Sequence, residues 1–290
     1  MKRFLLTMAA FGLFAVPAMA ADLAPSPVYK APVPVPVAVW SWTGFYIGGT
    51  AGGAWLDSNI TASGTTVCNP TLGGCGANQF SNALAVGLPG NFSNKPVGFI
   101  GGGEIGYNWQ YGQFVYGFET DISGASVSGS SAFSSSVTPV GIPGNTVNVS
   151  ALVTDKLNYL GTVRARGGYL VTPSVLAYAT GGFAYGGVSA SGALAEHVGG
   201  PCFCGPSPSV GWSINSTRTG WTVGGGLEWM FAPNWTVKGE YLYYDLGSST
   251  YSFPSLVQTN GAGVPFFGAN AATTFDFKGS IARAGVNYKF

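Results

Sequence analysis

Apolar and polar residues alternate with period two along eight stretches of the chain, and each stretch covers the roughly 9–11 residues a tilted strand needs to cross a bilayer. Residues 44–56 put Phe45, Ile47, Ala51 and Trp55 on one face. Residues 97–110 put Val97, Phe99, Ile105, Tyr107 and Trp109 on one face and Glu104 on the other. Residues 114–124 set Phe114, Tyr116, Phe118 and Ile122 against Glu119 and Asp121. In 156–170, Leu157, Tyr159, Val163 and Tyr169 share a parity and Arg164 and Arg166 take the other. The fifth stretch, 175–187, has ambiguous parity because both faces are apolar or small. Residues 219–231 oppose Trp221, Val223, Leu227 and Trp229 to Glu228. Residues 235–245 oppose Trp235, Val237, Tyr241 and Tyr243 to Lys238 and Glu240, and 279–290 oppose Val286, Tyr288 and Phe290 to Arg283.

The connections between these stretches alternate in length. Short turns fall at 111–113, 172–174 and 232–234, and long Gly/Ser/Asn-rich loops fall between the others. This rhythm predicts an all-β fold: an eight-stranded antiparallel transmembrane β-barrel with short periplasmic turns and long extracellular loops. Trp109, Tyr111, Trp229 and Trp235 beside the short turns predict an interfacial aromatic girdle. Two features disturb the pattern. Val147, Val149, Ala151 and Val153 extend the outward parity of the fourth strand, which predicts a hairpin projecting outside. Phe275 and Phe277 carry the inward parity of the eighth, which predicts a register-shifting bulge near Gly279.

Composition supports a barrel. Charged residues are 8% and aromatics 14% of the 290 residues, and there are 46 glycines. A soluble domain carries about 25% charged residues, and no apolar run after the first twenty positions is long enough for a spanning helix. An oily surface without long apolar runs is solved by strands that close on themselves. Lys2 and Arg3, the apolar run FLLTMAAFGLFAV and the small-x-small site Ala18-Met19-Ala20 predict a signal peptide at 1–20. Its removal takes away two positive charges, Lys2 and Arg3, and the formal net charge goes from +1 to −1, too balanced for a nucleic-acid partner. Residues 21–41 are Pro-rich and read as an extended periplasmic leader, a spacer or a tether to cell-wall material. The barrel then occupies 42–290.

Alternation also directs Glu104, Glu119, Asp121, Arg164, Arg166, Glu228, Lys238, Glu240 and Arg283 inward, five acids and four bases. The interior of an eight-stranded barrel is filled by side chains, and charges there are costly unless paired. The second, third and fourth strands are neighbours, so Glu104, Glu119, Asp121, Arg164 and Arg166 can form one network. It reads as a polar plug, with a narrow conduit for small solutes as the rival. Gly98, Gly102 and Gly106 are expected to leave some free volume along the second strand.

Four cysteines form two close pairs, Cys68/Cys75 and Cys202/Cys204. Export permits disulfides. A bridge within Cys202-Phe203-Cys204 is strained, so those two pair elsewhere or stay reduced. His197 is the only histidine, and neither a metal site nor a cofactor is expected. Gly101, Gly103 and Gly106 match a dinucleotide fingerprint in spacing alone, because alternation runs through them where a helix should begin. No catalytic cluster is apparent, and no enzyme activity is expected.

The stretches WSWTGFYIGGTAGGAW after a YKAP leader, FIGGGEIGYNWQYGQFVYGFETDISG and the ending RAGVNYKF resemble the bacterial outer-membrane immunogenic-protein group, small OmpA/OmpX-like barrels often labelled porin family. The likeness covers essentially the whole mature chain and is strongest at the first three strands and the last. The cysteine-bearing loops match nothing in the group. The resemblance implies a surface-exposed barrel in the cell outer membrane that supports envelope integrity, without implying a pore or catalytic residues. It implies outer-membrane lipid and lipopolysaccharide as surroundings. Val286, Tyr288 and Phe290 match the terminal-strand pattern read by the barrel-assembly machinery. A narrow porin and a loop-mediated adhesin are the alternative functions, and the loops name no external ligand.

Overall fold

The computed structural model describes residues 40–68, 83, 85–88, 90–140, 143–201, 207–252, 256–259 and 265–290. The signal peptide, nearly all of the Pro-rich leader, Cys75, Cys202 and Cys204 lie outside the described residues, and Cys68 is described in its backbone only.

The described chain is almost entirely strand: β1 Gly44–Cys68, β2 Asn91–Asn94, β3 Val97–Tyr111, β4 Phe114–Val137, β5 Thr146–Thr172, β6 Val175–Gly199, β7 Ser209–Ala232, β8 Trp235–Ser252, β9 Leu256–Thr259 and β10 Pro265–Lys289. Consecutive long strands pair antiparallel in the order β1-β3-β4-β5-β6-β7-β8-β10, and β1 pairs with β10 from Tyr46↔Lys289 to Cys68↔Phe267, so eight long strands close into a ring, with β2 added on β1 and β9 on β10. Two-residue turns join β3 to β4, β5 to β6 and β7 to β8 at one end. Gly112 in the first turn has φ +61°, a conformation that favours glycine.

The outward face of the ring is apolar. Phe45, Ile47, Trp55, Phe99, Phe118, Ile122, Val163, Leu227 and Val286 all lie exposed on it. From Phe45 to Trp55 a strand rises about 33 Å, and at a tilt of roughly 40° this gives a band about 25 Å tall, the height of a bilayer's apolar core. Aromatics collect at both margins. Trp109 stacks on Tyr116 at 5.8 Å, and Trp235 meets Tyr288 at 5.0 Å near the short turns. Phe183 stacks on Tyr185 at 6.2 Å, and Trp221 lies against Tyr243 at 5.5 Å at the other margin.

The long strands run well past this band. Ser, Thr, Ala and Gly dominate these far halves, and their inward faces are marked by a few larger residues such as Phe133 on β4 and Val210, Trp212 and Ile214 on β7. Above the band the ring divides into two sheets. One holds β4 to β7, whose pairing continues to Val137↔Val147, Thr146↔Gly199 and Ala195↔Ser209. The other holds β8, β10 and β1 with β2 and β9. The β7–β8 ladder stops at Trp221↔Asp245, and the β3–β4 ladder stops at Val97↔Ser128.

The structure corrects three sequence expectations. Val147, Val149 and Val153 face inward, because an irregularity between Leu157 and Tyr159 resets the alternation of β5, and Leu157 itself is buried. Phe275 and Phe277 also face inward, in line with Ile281 and Arg283. The bulge lies across from them on β8, where Asp276/Lys278 meet Ser248/Asp245 and Gly247 takes φ +76°. Finally, Gly98, Gly102 and Gly106 leave no free volume. A side chain at Gly98 would meet Ser126 and Val127, one at Gly102 would meet the backbone of Ile122 and Ser123, and one at Gly106 would meet the Tyr46 hydroxyl.

Candidate functional site

The lumen is filled in layers. Trp42, Val115, Leu170, Leu176, Tyr178 and Met230 cluster at the short-turn end. Trp42 is tied there by its indole N–H, which donates to Pro173 O at 3.1 Å, and by its backbone N–H, which donates to Gln110 Oε1 at 2.8 Å. Beyond the charged layer lies a larger apolar core that includes Leu56, Ile100, Leu157, Leu160, Leu242, Phe275 and Ile281. A third cluster, with Ala83 and Leu88 from the segment after β1 packed on Val147, Val149, Leu194 and Ala271, sits in the extension.

The nine inward charges occupy the layer between the first two clusters, and all are buried. Neighbouring strands present them as direct partners: Glu104↔Asp121, Glu119↔Arg164, Glu228↔Lys238 and Arg283↔Glu240. Their ion pairs, however, mostly cross the lumen. Arg164 bridges Glu119, Asp121 at 3.0 Å and Glu240 at 2.8 Å. Arg166 reaches Glu228 at 2.5 Å and Glu119 at 3.4 Å. Lys238 sits 2.6 Å from Glu104 and 2.9 Å from Glu119. Arg283 meets Glu240 at 2.7 Å, Asp121 at 3.0 Å and Glu104 at 3.9 Å. The network therefore ties β3, β4 and β5 to β7, β8 and β10. Glu104 is held from β8 and β10 across the lumen and not by the β5 arginines, because Lys238 is long enough to span a narrow ring.

Neutral groups complete the layer. Tyr46 donates to Glu119 at 2.7 Å and accepts from Arg166 at 3.1 Å. Thr162 donates to Asp121, Thr236 to Glu228 and Tyr178 to Glu240, at 2.7, 2.6 and 3.3 Å. Asn287 donates to Glu228 at 3.2 Å, and the Arg166 guanidinium stands 4.1 Å over the Tyr178 ring. Sequence reasoning missed these five residues. Tyr46, Thr162, Thr236 and Asn287 carry the inward parity of their strands, a legible signal, whereas Tyr178 lies in the strand whose parity was ambiguous.

Two further acids are buried in the extension. Asp155 accepts from Asn94 at 3.4 Å, and burial raises its pKa above the usual carboxylate range. Glu196 is 1% exposed, neither carboxyl oxygen has a hydrogen-bond partner among the described residues, and burial pushes its carboxyl up to about 7. His197 faces away from it, its Nδ1 within 2.8 Å of Ser207 Oγ. Among the described residues no group of three or more His, Cys, Asp and Glu is placed to hold a metal ion. At the C-terminus Val286 and Phe290 are exposed on the outer face, and the Tyr288 ring packs edge-on against Phe290 at 5.1 Å.

A closed ring of eight strands with a bilayer-height apolar band, aromatic margins and a buried ionic layer defines an outer-membrane β-barrel protein. The outer membrane protein beta-barrel domain family matches residues 6–290, and the chain belongs to that family. It is 35% identical over 279 residues to the 31 kDa outer-membrane immunogenic protein of Brucella melitensis, covering 96% of this chain and 95% of that one. It is 32% identical over 168 residues to the 22 kDa outer membrane protein of Rhizobium leguminosarum, covering 57% and 62% of the two chains. Among solved structures it is similar to Ail, the attachment invasion locus protein of Yersinia pestis, at 13% identity and a TM-score of 0.29, covering 83% of this chain and 99% of that one.

Proposed function

We propose that the protein is a structural, surface-displaying barrel whose lumen is sealed by its own side chains. The carrying observation is the layering: an apolar floor, an ion-paired layer and an apolar core follow one another along the axis. A continuous water path would have to breach two apolar clusters as well as the charges. The ionic layer acts as a brace. Its pairs join opposite walls, so the ring is held in register by contacts that no single hairpin could supply. The long-loop end faces outward and the short turns face the periplasm, the usual arrangement of such barrels. The surroundings are outer-membrane lipid and lipopolysaccharide, the exposed terminal face of Val286, Tyr288 and Phe290 serves recognition by the assembly machinery, and the chain performs no catalysis.

The test is swelling of liposomes that contain the refolded protein in small sugars and amino acids. Rates equal to protein-free liposomes are expected; solute-dependent swelling would replace this reading with that of a narrow porin.

A further inference from the structure

Residues 40–43 lie just before β1, outside the strands, at the short-turn end of the ring. Gly44, at φ +145°, bends the chain where this segment leaves β1. The segment then crosses the mouth of the ring. In the order β1-β3-β4-β5-β6-β7-β8-β10 the β5–β6 turn stands opposite β1, and the carbonyl of Pro173 in that turn accepts the Trp42 indole N–H at 3.1 Å. On the near side the Trp42 backbone N–H donates to Gln110 Oε1 at 2.8 Å, and the Gln110 backbone N–H donates to Thr43 Oγ1 at 2.9 Å. The Gln110 side-chain amide reaches on to Gly112 O in the β3–β4 turn, at 3.1 Å. From β10, Lys289 Nζ donates to Thr43 O at 3.4 Å. Trp42 is 1% exposed, and Trp40 packs half-buried on the same apolar cluster.

The seam between β1 and β10 is laced to the rim from its other side as well. Lys289 N–H donates to Asn234 O at 2.8 Å, and Asn234 Nδ2 donates to Lys289 O at 2.6 Å, which ties the β7–β8 turn to the last strand. Phe290 N–H donates to Phe45 O at 2.9 Å across the seam itself.

The contacts of the segment are far from local. Gln110, Pro173 and Lys289 lie 68, 131 and 246 residues along the chain from the groups they bond. The segment therefore has a complete place to dock only when the β3–β4 and β5–β6 hairpins exist and β10 lies beside β1. That last condition is closure of the ring. Local hairpins form early and pairings between distant parts of a chain form late, so docking follows closure. Parting β1 from β10 must reverse it, because Thr43 has to leave Lys289 and Trp42 has to leave the opposite wall.

We propose that residues 40–43 are a latch, which docks after the β1–β10 seam closes and holds it shut. The latch sets how slowly the barrel opens and not how fast it forms. This goes beyond the sealed-lumen reading and does not rest on it.

The test measures unfolding and refolding rates of the full chain in lipid vesicles by heat-modifiable gel mobility. Trp42→Ala should unfold about a hundredfold faster than the wild type and refold within about twofold of it. Trp42→Phe, which keeps an aromatic ring and loses the N–H, should unfold about tenfold faster; if Trp42→Ala does not insert, this variant carries every comparison. A second set of variants locates the action at the seam. Ala51 and Ala284 are partners across it on the outer face. Ala51→Cys with Ala284→Cys, in a chain whose four native cysteines are changed to serine, bridges them. With the seam bridged, Trp42→Ala should unfold within about threefold of the bridged chain that keeps Trp42. Refolding slowed in proportion to the lost stability would place the segment in the folding nucleus. Unfolding at the wild-type rate, or an undiminished effect with the seam bridged, would reduce Trp42 to ordinary core packing. Each of these results would overturn the latch, whatever the liposome-swelling assay shows.

Discussion

Replacing Arg164 by methionine removes one of the two cations in the ionic layer that each meet three acids, while keeping an unbranched apolar stem. The guanidinium contacts Glu119, Asp121 at 3.0 Å and Glu240 at 2.8 Å. Each of these acids keeps another cation: Glu119 has Lys238 at 2.9 Å, and Asp121 and Glu240 have Arg283 at 3.0 and 2.7 Å. The layer falls from four bases against five acids to three against five. Stranding a buried charge costs about 3–5 kcal/mol; because no acid is left wholly without a cation, the lower figure applies, about 3 kcal/mol. Urea unfolding of the refolded protein in lipid vesicles, followed by tryptophan fluorescence and heat-modifiable gel mobility, measures it. Adding Glu240→Gln removes one excess negative charge, so the double variant should regain about 1 kcal/mol over the sum of the two single losses. An Arg164→Met protein that unfolds at the wild-type midpoint, or a double variant that is strictly additive, would refute the brace.

Lys238→Met should be costlier still, because Glu104 would then keep only Arg283 at 3.9 Å; the same unfolding series ranks the two. Gly106→Ala should lose about 1–3 kcal/mol, since the added methyl meets the Tyr46 hydroxyl and lies 2.7 Å from Phe118 O, and a wild-type midpoint would show that the wall can give. Glu196 gives the extension a pH dependence: its carboxyl ionises near 4.5 when unfolded and near 7 when buried, so the folded state holds the extra proton between these values. The Glu196 contribution to stability therefore falls as pH rises from about 4.5 to 7, by about 3 kcal/mol at most, and hydrogen exchange of the β5–β6 hairpin should show this in the wild type and show a smaller dependence in Glu196→Gln, where buried Asp155 still acts in the same direction. A cysteine placed at Val140 should react with an impermeant maleimide on intact cells and one at Gln113 should not; the reverse pattern would invert the topology.

The ring and its charged layer were largely legible in the sequence because the lipid band imposes a sharp contrast: Phe118 against Glu119, Ala165 against Arg166, Leu227 against Glu228. Legibility fell off where lipid ended. In residues 129–137 only Phe133 and Val137 stand out among small residues, so the strand looks like loop; in 209–217 Val210, Trp212 and Ile214 alternate with Ser, Gly and Asn, a period-two signal that was in the sequence and was not read. The parity of Val147, Val149 and Val153 was misread because one irregularity near Asn158 reverses every residue beyond it, and β-bulges leave no mark in an alternation pattern. The partners of the charges were hidden for a different reason. Adjacent strands can be inferred from order, but the reach of Lys238 and Arg283 across the lumen depends on its width.

Single-channel recording in planar bilayers tests the sealed lumen most directly. With the floor of Trp42 and Leu176, the ionic layer and the core of Leu157 and Ile281 in place, the refolded wild-type protein should give no stable openings at any moderate voltage. Reproducible nanosiemens steps from the same folded preparation would mean that water runs through the barrel, and the account of a self-sealed structural barrel would fail.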